Sequence, residues 1–350
     1  MTILKTDTIS GIGTGGTVFE GDITFDSLNY MTLPKGTTTQ SNRGRGVFAG
    51  GYAYNAQYFK SIDYINIQSS GNFIDFGDLT QAVHNDPGCC SSSTRGIIAG
   101  GYIQPANGGV NNMEYVTIAT TSNSTDFGDL SQDNNGKKWG MAGPMGNDTR
   151  GLFYGGMGPS WLSSIEYVTI ATLGNAADFG DVTEGRKYLA GTSNSTRGVA
   201  GGGNKSPNAA TNTIDYVTIA TTGNATDFGD LTQARQENSA TASTTRAVFG
   251  SGVTYSPTVH HNTLDYITIA TTGNATDFGD ISGYNGSGNH AVSNSTRGVW
   301  AGNNQYPVYS NTVYYVNIAT TGNTIEFGDQ NHSGCGGQAS FSDSHGGLTE

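Results

Sequence analysis

One phrase returns six times in this chain. Asp/Glu-Tyr-Val/Ile-Thr/Asn-Ile is centred on Tyr64, Tyr115, Tyr167, Tyr216 and Tyr266, and a sixth copy, with Tyr314 in place of the acid, on Tyr315. Twelve residues after each Tyr stands a Phe-Gly-Asp, at Phe76, Phe127, Phe179, Phe228, Phe278 and Phe327. A third phrase, Thr-Arg-Gly-Val-Phe-Ala-Gly-Gly or a close relative, is anchored at Arg45, Arg95, Arg150, Arg197, Arg246 and Arg297. The period is 49–52 residues. Self-similarity of this length points to a repeated supersecondary unit, because no single unit of that size buries its apolar face alone.

Each copy reads as four short antiparallel strands. Strand A is the small-residue run before the Arg, as in Tyr188–Ser193 or Asn238–Ser243. Strand B is the apolar run after it, such as Gly46-Val47-Phe48-Ala49. Strand C, for instance Asp215–Ile219, alternates polar and β-branched apolar residues, and strand D carries Phe-Gly-Asp. Thr222-Gly223-Asn224 and Asn194-Ser195-Thr196 have the composition of tight turns. No helical periodicity interrupts a copy. A four-stranded repeat of this length predicts an all-β propeller blade.

Composition narrows the function. Of 350 residues 53 are Gly, and only 44 are charged, with a net charge of −12. An acidic chain without a basic stretch gains nothing from counterion release, so nucleic acid is not an expected partner. No long apolar run predicts membrane insertion, and Met1–Ser10 lacks the apolar core of a signal peptide. Cys89, Cys90 and Cys335 form neither a disulfide framework nor a metal spacing, and no cofactor or metal is expected. The Gly-Gly after strand B is expected where blades converge and backbones come close.

The double Gly, the Tyr and the aromatic twelve residues on resemble the kelch propellers, with Phe where a kelch repeat usually has Trp. The resemblance covers roughly residues 33–348 and implies a kelch-like β-propeller over 30–350, with Met1–Asn29 as an N-terminal tail that anchors the ring, closes it with strands, or both. Gly334–Leu348 aligns with strands A and B of a further copy, with His345 in the Arg slot, and Thr17–Leu28 could supply its strands C and D. Seven blades, one stitched from both ends, are therefore expected; six is the alternative.

A feature present in every blade is expected to build the blade. Arg45, Arg95, Arg150, Arg197, Arg246 and Arg297 are read as reaching the Asp of a Phe-Gly-Asp, and the Phe residues as filling the wedge between blades. The Asp pairs around Phe-Gly are read as turn caps. The A–B and C–D loops of such a meander share one face and are nearly invariant here. The B–C and D–A segments share the other face and vary. Candidate binding residues on this variable face are Tyr54, Tyr58, Phe59, Trp161, Tyr255, His260, Tyr306 and Tyr309, since aromatics on scaffolded loops suit sugars or protein surfaces. No catalytic residue is proposed: the B–C loops hold no Asp or Glu, although Asp86 and Asp133 lie on D–A segments of different blades.

The units Asp-Tyr-Val-Thr-Ile-Ala-Thr-Thr-Gly-Asn-Ala-Thr-Asp-Phe-Gly-Asp-Leu and the opening Thr-Val-Phe-Glu-Gly-Asp-Ile-Thr-Phe resemble kelch-like proteins of tailed phages of marine bacteria, cyanophages in particular. That resemblance implies a non-enzymatic virion structural protein made in the host cytoplasm: a tail fibre, knob or capsid decoration. Its variable face would bind a host surface glycan or protein, and its N-terminal tail other virion proteins, with oligomers allowed. A spacer touching only virion subunits and a polysaccharide-acting enzyme are the alternatives.

Overall fold

The computed structural model describes residues 44–53, 57–103, 108–131, 138–283, 290–302, 310–332 and 335–348. Met1–Asn29, Tyr54, Asp133, Tyr306 and Tyr309 lie outside them. Within these residues each repeat forms one antiparallel sheet in the order A-B-C-D, a propeller-like, all-β arrangement. The fourth sheet is representative, with A at Ala190–Ser193, B at Arg197–Gly201, C at Thr213–Thr218 and D at Thr226–Asp230. The third sheet has only B, C and D; in place of A, single bridges join Ala142 to Tyr154 and Gly146 to Gly151. Pro144, which has no N–H to give, interrupts that ladder.

The sequence placed Gly334–Leu348 in a blade of its own, and the pairing corrects this. Ala339–Ser342 pairs with Arg45–Ala49 and serves as strand A of the first sheet. His345 is correspondingly not in an Arg slot. It is buried, with Nε2 3.2 Å from the Ser91 carbonyl and Nδ1 accepting the Gly347 N–H. A local strand alignment could not see this, because the ladder joins residues some 290 positions apart.

Apolar residues collect between sheets rather than within them. Phe76 joins Val47 and Ile62 of its own sheet to Ile98 and Val116 of the next. Phe127 does the same between the second and third sheets, Phe179 between third and fourth, Phe228 between fourth and fifth, and Phe278 between fifth and sixth. Phe327 packs with Val299 of the sixth sheet and Phe48 and Ile65 of the first. Each Phe is the extra residue of a β-bulge: Ile62 faces Gly77 and Asp63 faces Asp75, leaving Phe76 unpaired and turned into the interface. Burying a Phe there contributes roughly 1.5–3 kcal/mol.

The turn phrases are polar latches between the same neighbours. Asn274 Oδ1 accepts the Asp230 N–H at 3.1 Å, and the Gly273 N–H donates to the Phe228 carbonyl at 2.8 Å. Equivalent Asn bonds bind Asp78, Asp129, Asp181, Asp280 and, from Asn72 of the first sheet, Asp329 of the sixth. The Phe-Gly-Asp is thus strand and latch, not the turn cap expected. Its Gly is required by the neighbour: a Cβ on Gly229 would stand 2.5 Å from the Gly273 carbonyl oxygen.

The Arg slot also differs from expectation. Each guanidinium lies over the Tyr of its own strand C at 4.4–4.7 Å from the ring centre. Its Nη1 donates to the carbonyl of the Ile after strand C in the next sheet, as Arg197 does to Ile269 and Arg297 to Ile67. A ring face and a carbonyl, rather than an Asp carboxylate, hold the cation.

Small residues make the centre. The strand A segments are wholly buried, and their Ser side chains pass hydrogen bonds from sheet to sheet: Ser91 to Ser342, Ser342 to Ser293, Ser293 to Ala242, all onto carbonyls at 2.6–3.0 Å. Cys89 and Cys90 sit here as small strand residues. The Gly-Gly pairs stand at the exit of strand B, where neighbouring backbones come close as expected. Gly50 and Gly51 have φ of +70° and +98°, and a Cβ would strike the Val83 carbonyl or the Gln338 side chain on D–A segments.

Candidate functional site

Strands B, C and D each spend side chains on the latches just described, and so does the invariant A–B and C–D face. At that end of the inner strands, Gly346 donates to the Ala242 carbonyl while His345 reaches Ser91, so Asp343–Leu348 fills the space between them. The opposite face is differently furnished.

Where the D–A segments meet at that face, a small pit of about 30 Å³ opens. Asp86, Tyr188, Glu237, Asn238, His290 and Gln338 line it, and Cys89, Ala291 and Ser340 of the inner strands follow. Tyr188 and Asn238, read from the sequence as strand A, precede the strands and face this pit. The residue two before strand A is left-handed in every described copy: Gly337, Asp86, Gly140, Tyr188 and Glu237, with φ of 55–66°. A Tyr or Glu in this conformation costs of order 1 kcal/mol or more. The rim offsets it with backbone bonds running head to tail, Gly140 N–H to Asn85 O, Tyr188 N–H to Gly140 O and Glu237 N–H to Tyr188 O, at 2.7–3.0 Å.

The pit gathers polar groups in low dielectric. Burial, with the Glu237 carboxylate nearby, pushes the Asp86 carboxyl up to about 8. Burial also raises the Tyr188 phenol, helped by Asp86 and Glu237. His290 Nε2 accepts the Gln338 N–H at 2.9 Å and stands 3.5 Å from Asp86 Oδ1. The Tyr255 hydroxyl donates to Glu237 at 3.0 Å.

Around the pit the aromatics form an arc. Tyr58 stacks on His84 at 4.5 Å, Tyr52 and Tyr102 meet His84 edge-on, Tyr102 meets Trp139, and Trp139 leans on Tyr188. Lys187 Nζ lies 5.0–5.5 Å from the rings of Tyr188, Trp139 and Trp161, and burial lowers its pKa against the pull of Glu237. Trp161 is half-buried and donates its indole N–H to Asn204 Oδ1. Phe59 stacks on His332 at 4.0 Å. Tyr255 is 48% exposed, and His260 is half-buried on the neighbouring hairpin strand Val259–His260. None of the expected binding residues lines the pit: Tyr255 meets it only through its bond to Glu237, and Tyr58, Phe59 and Trp161 pack in local clusters.

Sequence reading missed the buried cations beneath this face. Lys138 pairs with Glu166, Arg186 with Asp215, and Arg235 with Asp265 at 2.7 Å, each from four residues before the strand A position to the acid of strand C. The signal was there: basic residues share that offset in three successive copies. Among the described residues no three His, Cys, Asp or Glu side chains are grouped to hold a metal ion.

Compared with known proteins, the chain matches no protein-family model and none of the curated proteins.

Proposed function

We propose that this chain is a six-bladed, kelch-like β-propeller serving as a non-enzymatic virion structural protein of a tailed phage, a tail fibre, knob or capsid decoration. Its variable face binds a glycan or protein of the host surface. The division of labour between faces carries the reading. The repeated Arg, Asn and Phe-Gly-Asp residues are consumed by bonds between sheets, whereas the face with variable loops presents an aromatic arc around a polar pit. Six interfaces, the last returning from the sixth sheet to the first, support the blade number.

The test is retention of the labelled full-length chain by a panel of intact marine bacterial cells, cyanobacteria included. Trp161→Ala combined with Tyr255→Ala should cut retention at least tenfold with the melting temperature nearly unchanged. Retention by no cell, together with attachment to undecorated phage particles, would replace this reading by that of a spacer. One observation favours hydrolysis as a second reading: a carboxyl held protonated near neutrality beside another carboxylate is the pattern of glycosidase acid–base pairs. New reducing ends released from cell-surface polysaccharide would establish it, and the binding reading expects none.

A further inference from the structure

We propose that the variable face carries a subsite for an anionic pyranose between the third and fourth sheets, where Trp139 and Trp161 hold the sugar ring and the Lys187 ammonium takes its carboxylate or sulfate group. The inference rests on the reading of that face as glycan-binding and names the class of sugar it selects.

Backbone pairing sets the two indoles in one row. Single bridges join Met157 to Trp139 on one side and to Trp161 on the other, with the Trp139 N–H donating to the Met157 carbonyl at 3.1 Å and the Met157 N–H returning to Trp139 at 2.7 Å. Residues paired directly across antiparallel strands share a face, so the half-buried Met157 lies between the two rings. A relay of buried amides then fixes the second ring. Trp161 donates its indole N–H to Asn204 Oδ1 at 3.0 Å, and Asn204 Nδ2 donates to Gln236 Oε1. Asn204 and Gln236 are 2% and 4% exposed. With its polar edge committed inward, the half-buried Trp161 has its ring left to offer a ligand.

The same ladder places a cation. Lys187 pairs directly opposite Asn204, and its Nζ stands 5.1 and 5.5 Å from the centres of the Trp139 and Trp161 rings. Ring faces attract an ammonium but satisfy none of its three N–H donors. Among the described residues this Nζ makes no hydrogen bond or ion pair, and it stays open to solvent. Glu237 attracts it from beyond ion-pair distance and already receives the Tyr255 hydroxyl. The neighbouring cation, Lys205, is committed to Glu184 at 3.1 Å. A sugar carboxylate or sulfate supplies the acceptor that Lys187 lacks, and an uncharged sugar does not.

Nor does the repeat need this lysine. The position just before the left-handed residue is Gly336, Asn85, Trp139 and Gln236 in the other described copies. What builds a blade recurs in every blade, and Lys187 does not.

Calorimetry on the full-length chain tests this with two pairs of oligosaccharides of equal length: an oligogalacturonate against its methyl ester, and a sulfated galactan fragment against the desulfated one. The acidic member of at least one pair should bind at least tenfold more tightly, an advantage that shrinks as salt rises. Which pair shows it tells carboxylate from sulfate. Lys187→Met, which keeps most of the stem, should abolish the advantage without weakening the neutral form, and Trp161→Ala should weaken both forms. Lys205→Met should leave the advantage intact; melting curves of all three variants confirm folding. Equal binding within both pairs, or an advantage lost as fully in Lys205→Met as in Lys187→Met, would overturn the anion subsite while leaving glycan recognition standing. Binding of none of the four probes would also overturn it, and the cell-retention assay then judges the broader reading separately.

Discussion

At the scale of single residues, the costliest side chains to disturb are those the repeat does not advertise. Arg235 and Asp265 are fully buried, and burial lowers the Arg235 pKa against the pull of Asp265. Removing one partner strands a charge, which typically costs about 3–5 kcal/mol, whereas replacing both with apolar residues of similar size is often near neutral. Arg235→Met should therefore lose about that much in urea unfolding, and Arg235→Met with Asp265→Leu should recover most of it. Asp86 tests a different quantity. Its folded pKa of about 8 lies above the usual 3.8, so the folded state keeps a proton that the unfolded chain releases. Stability from this group is full below about pH 4 and drains away as pH rises to 8. Asp86→Asn, which also tolerates the left-handed backbone, should gain melting temperature over wild type at pH 8 and little at pH 4. The repeated Arg was legible as a structural residue, but its partner was not. A guanidinium has five donors and a stacking face, so spacing alone does not choose between an Asp, a carbonyl and a Tyr ring.

At the scale of elements, the sequence was most readable where one residue type has a single use. The four-strand division followed from alternation and turn residues, and Phe in the wedge followed from size. The bulge that turns Phe inward was hidden, because it is a register shift between strands C and D and leaves no mark in either strand alone. Gly229 carries the consequence. Its φ is +145°, and any Cβ would press on the Gly273 carbonyl of the next sheet. Gly229→Ala should destabilise the chain by about 2–4 kcal/mol through backbone strain and a forced separation of the fourth and fifth sheets. Asn274→Ala, which removes only the exposed Oδ1 acceptor from the same latch, should cost about 1 kcal/mol. Denaturant titration of the pair separates steric from polar contributions; equal costs would mean that the latch, and not the close approach, sets the Gly. The variable face was legible from loop variation, but its expected aromatics are not the residues that line the pit. The pit was not, since residues from several D–A segments, read singly as strand or linker, converge only when the sheets are assembled.

At the scale of the molecule, the question is whether the six interfaces act together. In an open array each repeat depends on its immediate neighbours, and ends can fray without the rest. Here the last strand, Ala339–Ser342, completes the first sheet, and Phe341 is fully buried against the Gly96 position of the second, where a Cβ would stand 1.8 Å from its ring. The residues that follow reach strand ends of four sheets, through Ser91, Gly146, Ser193 and Ser243. One short segment therefore touches most of the assembly. Deleting residues 339–350 should broaden the thermal transition and lower its midpoint by far more than the area of twelve residues implies, because the first sheet loses a strand supplied from the far end of the chain. Phe341→Ala keeps the ladder and should cost about 3–5 kcal/mol while leaving a single sharp transition. Were the deletion instead to melt as sharply and as high as the full chain, the first sheet would not need its distant strand. The sheets would then be an open array, and the pit, which needs D–A segments from both ends of that array, would have no fixed geometry.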